Sequence, residues 1–235
     1  MQLIINNKEN MKNKLTAIIA ALGMLTFATT SYASSGFTVG VSGMMGFIET
    51  SGSEHENSGG TVVTTSEITK KDITEGFFGG SIFAEYETDG GWALGIDYVP
   101  VDADLGEGKR TDASGSASPG AEDTGDRSAS AEMNDLFTYY VTKTLGGSGY
   151  YILLGYHDAE ITTTETLPAS KYGDVDLNGY QYGIGFKTPV GADGAIRYEF
   201  SFSDFDDIAI TDSTNSKNKV TADADAYMIK VGYNF

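Results

Sequence analysis

Residues 227–235 read YMIKVGYNF. In an extended chain Tyr227, Ile229, Val231, Tyr233 and Phe235 share one face, and Met228, Lys230, Gly232 and Asn234 share the other. One bulky apolar face against one small or polar face is the period-two signature of a β-strand between two media. The alternation recurs upstream. In 36–48 (GFTVGVSGMMGFI) Phe37, Val39, Val41, Met45 and Phe47 alternate mostly with Gly, Ser and Thr. Trp92, Leu94, Ile96 and Tyr98 repeat it, as do Tyr180, Tyr182, Ile184 and Phe186, and Ile196, Tyr198, Phe200 and Phe202. Segment 77–87 sets Phe78, Ile82, Ala84 and Tyr86 against Ser81, Glu85 and Glu87. Two further strands, 135–143 (DLFTYYVTK) and 150–158 (YYILLGYHD), can be read in either register, because a slip of one residue reverses both faces. Phe137, Tyr139 and Val141 are assigned to the apolar face of the first. Tyr150, Ile152, Leu154 and Tyr156 are assigned to that of the second, leaving His157 inward.

Eight strands result, and the connections between them alternate in length. Short ones fall at 88–91 (TDGG), 145–149 (LGGSG) and 189–194 (PVGADG). Long polar ones are expected at about 49–75, 100–133, 159–178 and 204–222. The predicted fold is all-β: an eight-stranded, antiparallel, up-and-down transmembrane β-barrel with short periplasmic turns and four long acidic extracellular loops. The even strand number puts both termini at the short-turn end.

The two faces decide the solvent. The polar face carries Glu85, Asp97, Lys187, Arg197, Glu199 and Lys230 among Gly and Ser, and the other is bulky at nearly every position. An eight-stranded lumen is only wide enough for side chains to fill it. Small residues and a few paired charges fit there, and about twenty aromatic and branched side chains do not. The bulky face therefore points to lipid, and a soluble lipocalin-like barrel with an apolar interior is the lesser reading. Aromatics near strand ends, Phe37, Phe47, Trp92, Tyr98, Tyr180 and Phe235, suit interfacial girdles.

Composition agrees. Thirty glycines, 14 tyrosines and 12 phenylalanines stand beside four prolines in 235 residues, a β composition too aromatic for an acidic disordered chain. Thirty-three acidic against 15 basic residues give a net charge of −18, which argues against nucleic acid as a partner. Cysteine is absent, so disulfides, thiolate metal sites and thiol nucleophiles are excluded.

The N-terminus has the order of an export signal. Lys12 and Lys14 precede an apolar run from Leu15 to Phe27, and Ser31-Tyr32-Ala33 fits a small-x-small cleavage site. Thirteen apolar residues are too few for a helical span of about 20. Residues 1–33 are expected to be a signal peptide, with Met11 as an alternative start, and 34–235 to be the barrel domain.

With these features the chain resembles the small outer-membrane β-barrel family of the OmpA transmembrane domain and OmpX type. The resemblance covers essentially all of 34–235 and is one of pattern. Its sharpest element is Tyr227, Ile229, Val231, Tyr233 and Phe235, which looks like the C-terminal signal read by the barrel-assembly machinery. The resemblance implies export through the periplasm to a bacterial outer membrane, with lipid and lipopolysaccharide as surroundings. It implies no cofactor. A peptidoglycan-binding domain, found in some relatives, is not visible.

The inward charges, Glu85, Asp97 and Glu199 against Lys187, Arg197 and Lys230, are balanced three to three, as buried charges must be if they pair. A paired network would plug the lumen, and a gap in it would leave a narrow pore with a cation preference. The long segments carry most of the negative charge: Asp102, Asp104, Glu107, Asp112, Glu122, Asp123, Asp126 and Glu132 in one, and Asp204, Asp206, Asp207, Asp212, Asp223 and Asp225 in another. Such clusters are solvated surface or, alternatively, contacts for divalent cations bridging to lipopolysaccharide. No metal ligands are assignable, since no calcium-loop spacing is present.

Catalysis finds little support. His55 lies in the first long loop, and His157 near the outer end of the fifth strand without a His-x-Ser motif. An outer-membrane lipid A-modifying enzyme would need a Ser–His pair near the rim. The expected role is non-enzymatic, in a monomer: envelope integrity and surface presentation of acidic loops, adhesion being one use of them. A narrow porin comes second and a lipid A-modifying enzyme third.

Overall fold

The computed structural model describes residues 35–55, 68–100, 102–112, 125–166, 171–191, 194–213 and 219–235. The expected signal peptide, and Glu122 and Asp123 of the acidic segment, lie outside the described residues. Ten strands form one antiparallel sheet: β1 (Gly36–His55), β2 (Ile68–Glu87), β3 (Trp92–Val99), β4 (Ala103–Asp112), β5 (Gly125–Thr144), β6 (Tyr150–Glu165), β7 (Val175–Val190), β8 (Gly194–Phe205), β9 (Ile208–Thr211) and β10 (Lys219–Asn234). Consecutive strands pair except at β3/β4 and β8/β9, where β3 and β4 both pair with β5 and β8 and β9 both pair with β10. β1 pairs with β10 from Gly40↔Asn234 to His55↔Lys219, so the sheet closes on itself. β4 continues β3 outward along β5, and β9 continues β8 outward along β10. The wall is thus eight strands, two of them interrupted.

The β3–β4 interruption has a local cause. Pro100 follows β3 and has no N–H to give a ladder. Opposite it, β5 is irregular between Asn134 and Phe137, with Asp135 at φ 49°. The Tyr98 hydroxyl donates to the Asp135 carboxylate over 2.8 Å, and the Tyr98 ring stacks on Phe137. The β2–β3 ladder runs from Glu87↔Ala93 to Ile82↔Tyr98 and stops there. Among the described residues β4 pairs with β5 alone, so the outer half of β2 has a ladder only with β1. Side chains bridge the seam: Lys71 Nζ donates to the Glu107 carbonyl, and Ile73 lies against Gly106.

The face assignments of 135–143 and 150–158 match this wall. Tyr139, Ile152, Leu154 and Tyr156 face outward, and Thr138, Tyr140, Tyr151 and His157 are buried inside. The segments read as long loops are mostly strand. β1 runs to His55, β2 starts at Ile68, β5 starts at Gly125 and β6 runs to Glu165. Asp104, Glu107 and Asp112 lie on β4, Asp126 and Glu132 on β5, and Asp223 and Asp225 on β10. Polar residues hid these extensions. Above the membrane the outward face meets water rather than lipid, so the bulky outward half of the alternation disappears while the backbone ladder continues. His55 ends β1 opposite Ile68 and Lys219 rather than sitting in a loop, and His157 has eight strand residues beyond it.

The outer face carries two aromatic belts. Phe37, Tyr86, Trp92, Tyr150 and Phe235 ring the short-turn end, and Phe47, Phe78, Tyr98, Tyr156 and Tyr180 ring the other. Phe37 and Phe47 are ten residues apart on β1. At about 3.3 Å per residue and a tilt near 40°, that rises about 25 Å, the height of the apolar band of a membrane barrel. Between the belts stand Met45, Ile82, Leu94 and Ile184, with Leu94 69 % and Ile184 57 % exposed. Replacing Ile184, which sits between Ile152 and Phe200, with Arg should cost about 2–4 kcal/mol. Urea unfolding in lipid vesicles checks this, and Thr74→Arg, beyond the belt on β2, should stay near zero.

Candidate functional site

The lumen is filled in layers, and the lowest is an ion cluster. Arg197 on β8 donates from Nη1 to Glu85 over 3.0 Å and from Nη2 to Glu199 over 2.7 Å. Lys187 on β7 reaches Glu85 at 2.6 Å and Glu87 at 3.0 Å. Tyr140 donates to Glu85 and Tyr151 to Glu199, each over 3.0 Å, and both rings flank the guanidinium with Phe83. Two glycines make this possible. Gly95 pairs with Tyr140 and Gly185 with Tyr151 across neighbouring strands, and a methyl group on either would overlap the ring lying over it. Each tyrosine therefore lies along the wall and delivers its hydroxyl to a carboxylate.

Lys230 and Asp97 form a separate pair at 3.1 Å, and Ser81 donates to Asp97 and contacts Ser42. All six charges named from sequence lie in the lumen, in two groups. Glu87 joins them, so four carboxylates face three cations. Sequence reading put Glu87 on the inner face but left it out of the balance. Tyr140 and Tyr151 were missed as partners, although an inward Tyr opposite a Gly was a readable signal. The terminal signal residues Val231 and Tyr233 stand exposed on the outer face of β10, with Tyr227 and Ile229 on the same face and the exposed Phe235 just past the strand's end.

Above the ions, His157 is held at both ring nitrogens, Nδ1 at 2.8 Å from Thr138 Oγ1 and Nε2 at 2.8 Å from Ser203 Oγ, with its ring stacked on Phe205. A Ser–His pair thus exists, but inside the barrel rather than at its rim. His157 is 2 % and Ser203 4 % exposed. Among the described residues no carboxylate orients the imidazole; its second partner is a threonine hydroxyl.

Next comes an apolar layer that the sequence reading did not anticipate. Ile48, Leu105, Met133, Ile161, Leu177 and Phe205 are buried against one another across the lumen, with Ala159, Ala224 and Ala226 between them. Met44, Val99 and Met228 pack beside them with Phe77 and Leu136. The signal was present as alternating Ala222, Ala224, Ala226 and Met228, within and next to an acidic segment read as loop. Beyond this layer the lumen opens into a cavity of about 340 Å³. Among the described residues no group of three or more His, Asp or Glu side chains is placed to hold a metal ion.

No protein-family model matches the chain, and no curated protein matches it. Among solved structures, the attachment invasion locus protein Ail of Yersinia pestis is 13 % identical, with 86 % of this chain and 100 % of that one covered and a TM-score of 0.37. Neisserial surface protein A is 10 % identical over 85 % and 96 % of the chains, with a TM-score of 0.38. The outer membrane protease OmpT from Escherichia coli is 8 % identical over 90 % and 99 %, with a TM-score of 0.39. Likenesses this distant bear on no activity of this chain.

Breaking the lower cluster at its centre should be costly. Arg197→Met leaves Glu85 and Glu199 without their shared cation in a filled lumen, for an expected loss of about 3–5 kcal/mol. Tyr151→Phe removes one hydrogen bond and should cost roughly 1 kcal/mol. Urea titration of the two variants in one lipid composition tests the ranking, which equal costs would contradict.

Proposed function

We propose that the chain is a monomeric, non-enzymatic barrel of a bacterial outer membrane, closed to ion flow, that holds an acidic strand crown above the bilayer. The observation carrying this reading is the combination of two aromatic belts outside with an ion cluster and an apolar layer filling the inside. A water-filled path would have to cross both layers, and ions do not traverse an apolar constriction without dewetting cost. The outer-facing residues of β10 are then the strand read by the barrel-assembly machinery, and outer-membrane lipid and lipopolysaccharide are the surroundings of the belts. The acidic crown contributes to envelope integrity and surface contacts, divalent cations and adhesion among them. His157 and Ser203 serve as a lumen filler whose polar atoms satisfy one another.

Two measurements test this. In a planar bilayer the folded protein, verified by its heat-dependent gel shift, should give no current steps. Reproducible cation-preferring steps would replace this reading with that of a narrow porin. A fluorophosphonate probe should leave Ser203 unlabelled in the folded protein. Labelling that disappears in His157→Gln would restore a hydrolytic or acyl-transfer role.

A further inference from the structure

The mouth cavity and the seam beside it are one feature. The cavity is lined by Leu105, Ile161, Ile208, Ile210, Val220 and Ala222 on its inner walls. Its volume of about 340 Å³ lies at the small end of ligand sites, about 300–1,000 Å³. The charged groups around it already have partners, and among the described residues the one buried hydroxyl on its wall without a partner is that of Thr50, which suits an uncharged guest. Tyr172 donates its hydroxyl to Glu54 over 3.1 Å, Glu165 accepts from Thr163 and from the Tyr172 N–H, Lys109 pairs with Glu107 at 2.9 Å, and Lys71 donates to the Glu107 carbonyl. A charged guest would have to break one of these pairs, whereas an uncharged apolar guest breaks none. Filling the space also replaces contacts that an unfilled apolar wall lacks.

The same cavity is bounded by Lys71, Ile73, Gly106 and Gly108, the residues on the two sides of the seam where β2 and β4 share no ladder. Most other lining strands are joined by backbone ladders that a guest cannot part cheaply, and on the side of β9 away from β10 the wall is held by backbone hydrogen bonds from Ser213 to Lys171 and from Asp206 to Asn178. Here Ile73 on Gly106 and the Lys71 contact close the gap, and side chains change rotamer on the nanosecond scale when exposed. The foot of the seam starts just above Ile82, near Phe78 of the upper belt. The way in is sideways, from the level where the apolar band ends.

We propose that this cavity binds a small, uncharged, predominantly apolar molecule, admitted through the β2–β4 seam by movement of Ile73 and Lys71. The apolar layer below forms the floor, so the guest is held rather than passed into the ion cluster.

The test uses the full chain in lipid nanodiscs with labelled Ile, Leu and Ala methyl groups. Naphthalene is the probe, and naphthalene-1-sulfonate the charged control. Methyl signals of Leu105, Ile161, Ile208 and Ala222 should shift and saturate with naphthalene. Those of the lipid-facing Ile82, Ile96 and Ile184 should drift in proportion to the amount dissolved in lipid. The sulfonate should leave the cavity methyls in place. Cavity methyls that follow the lipid-facing ones, or that respond to the sulfonate alone, would overturn the site. Ala131→Phe, which fills the cavity, should weaken binding by tenfold or more, a change of about 1.4 kcal/mol. If that variant fails the gel-shift check, Ala131→Leu serves, and undiminished affinity in either folded variant counts against the site.

The door is tested separately. A Cβ on Gly106 would stand 3.7 Å from Ile73 Cβ, close to the disulfide mean of about 3.8 Å, and the chain has no cysteine of its own. In Ile73→Cys/Gly106→Cys, oxidised and reduced forms of one protein can be compared, so any backbone strain at position 106 (φ 116°) is common to both. Oxidation should slow naphthalene exchange about tenfold or more with affinity kept within about twofold. Equal exchange rates in both forms would show that the guest enters by another route.

Discussion

Everything in this molecule depends on the ladder between β1 and β10. In hydrocarbon an unpaired backbone N–H or C=O costs several kcal/mol, so a sheet can stand in lipid only if it has no edge. The first and last strands supply each other's missing partners from Gly40↔Asn234 to His55↔Lys219. Closure fixes the circumference at eight wall strands. It thereby sets how much room is left inside, and the interior answers to that limit. Small residues such as Ser42, Ser81 and Ser201 lie beside the few long charged ones, and glycine stands where a tyrosine must lie flat.

The interior is not uniform along the axis. Low in the barrel, charges on opposite walls neutralise one another through Arg197, Lys187 and their carboxylates. Further out the same inward positions carry Ile48, Ile161 and Leu177. Paired ions need good geometry to offset their desolvation, and the narrow, fully closed part of the wall supplies it. The apolar layer needs only volume. It sits where the wall is interrupted at Pro100 and around Asp206, and where the β2–β3 ladder has stopped.

Much of this was legible in the sequence. Strict alternation in 36–48, 180–187, 196–203 and 227–235 specifies strands and their two faces, and the short turns specify their order. The inward charges follow, because an eight-stranded lumen leaves no other side for them. The outer third was not legible. There the outward face meets water instead of lipid, so Thr162, Thr163 and Thr164 on β6, or Asp223 and Asp225 on β10, look like loop although they hold the ladder. Once the outward face stops being apolar, the period that identifies strands fades, and inward residues such as Ile161 and Ala224 lose their context. The Ser203–His157 contact joins residues 46 apart on non-adjacent strands, and local spacing carries no trace of it.

The Arg197–Glu85 contact joins positions 112 residues apart on β8 and β2, on different parts of the wall. Neither strand alone presents the other's charge, and no hairpin of neighbours can make the pair. It can form only when the sheet has curled far enough to face itself, which places it late in assembly, after local hairpins and after most of the loop-closure entropy has been spent. Until then Glu85 stands on one side of an open sheet and Arg197, with Glu199 of its own strand, on the other. In the finished barrel both are out of water, Glu85 at 2 % and Arg197 at 3 % exposure. The cluster is therefore a clasp that engages on completion of the ring, favouring the finished barrel over partly curled forms that already have most of their strands.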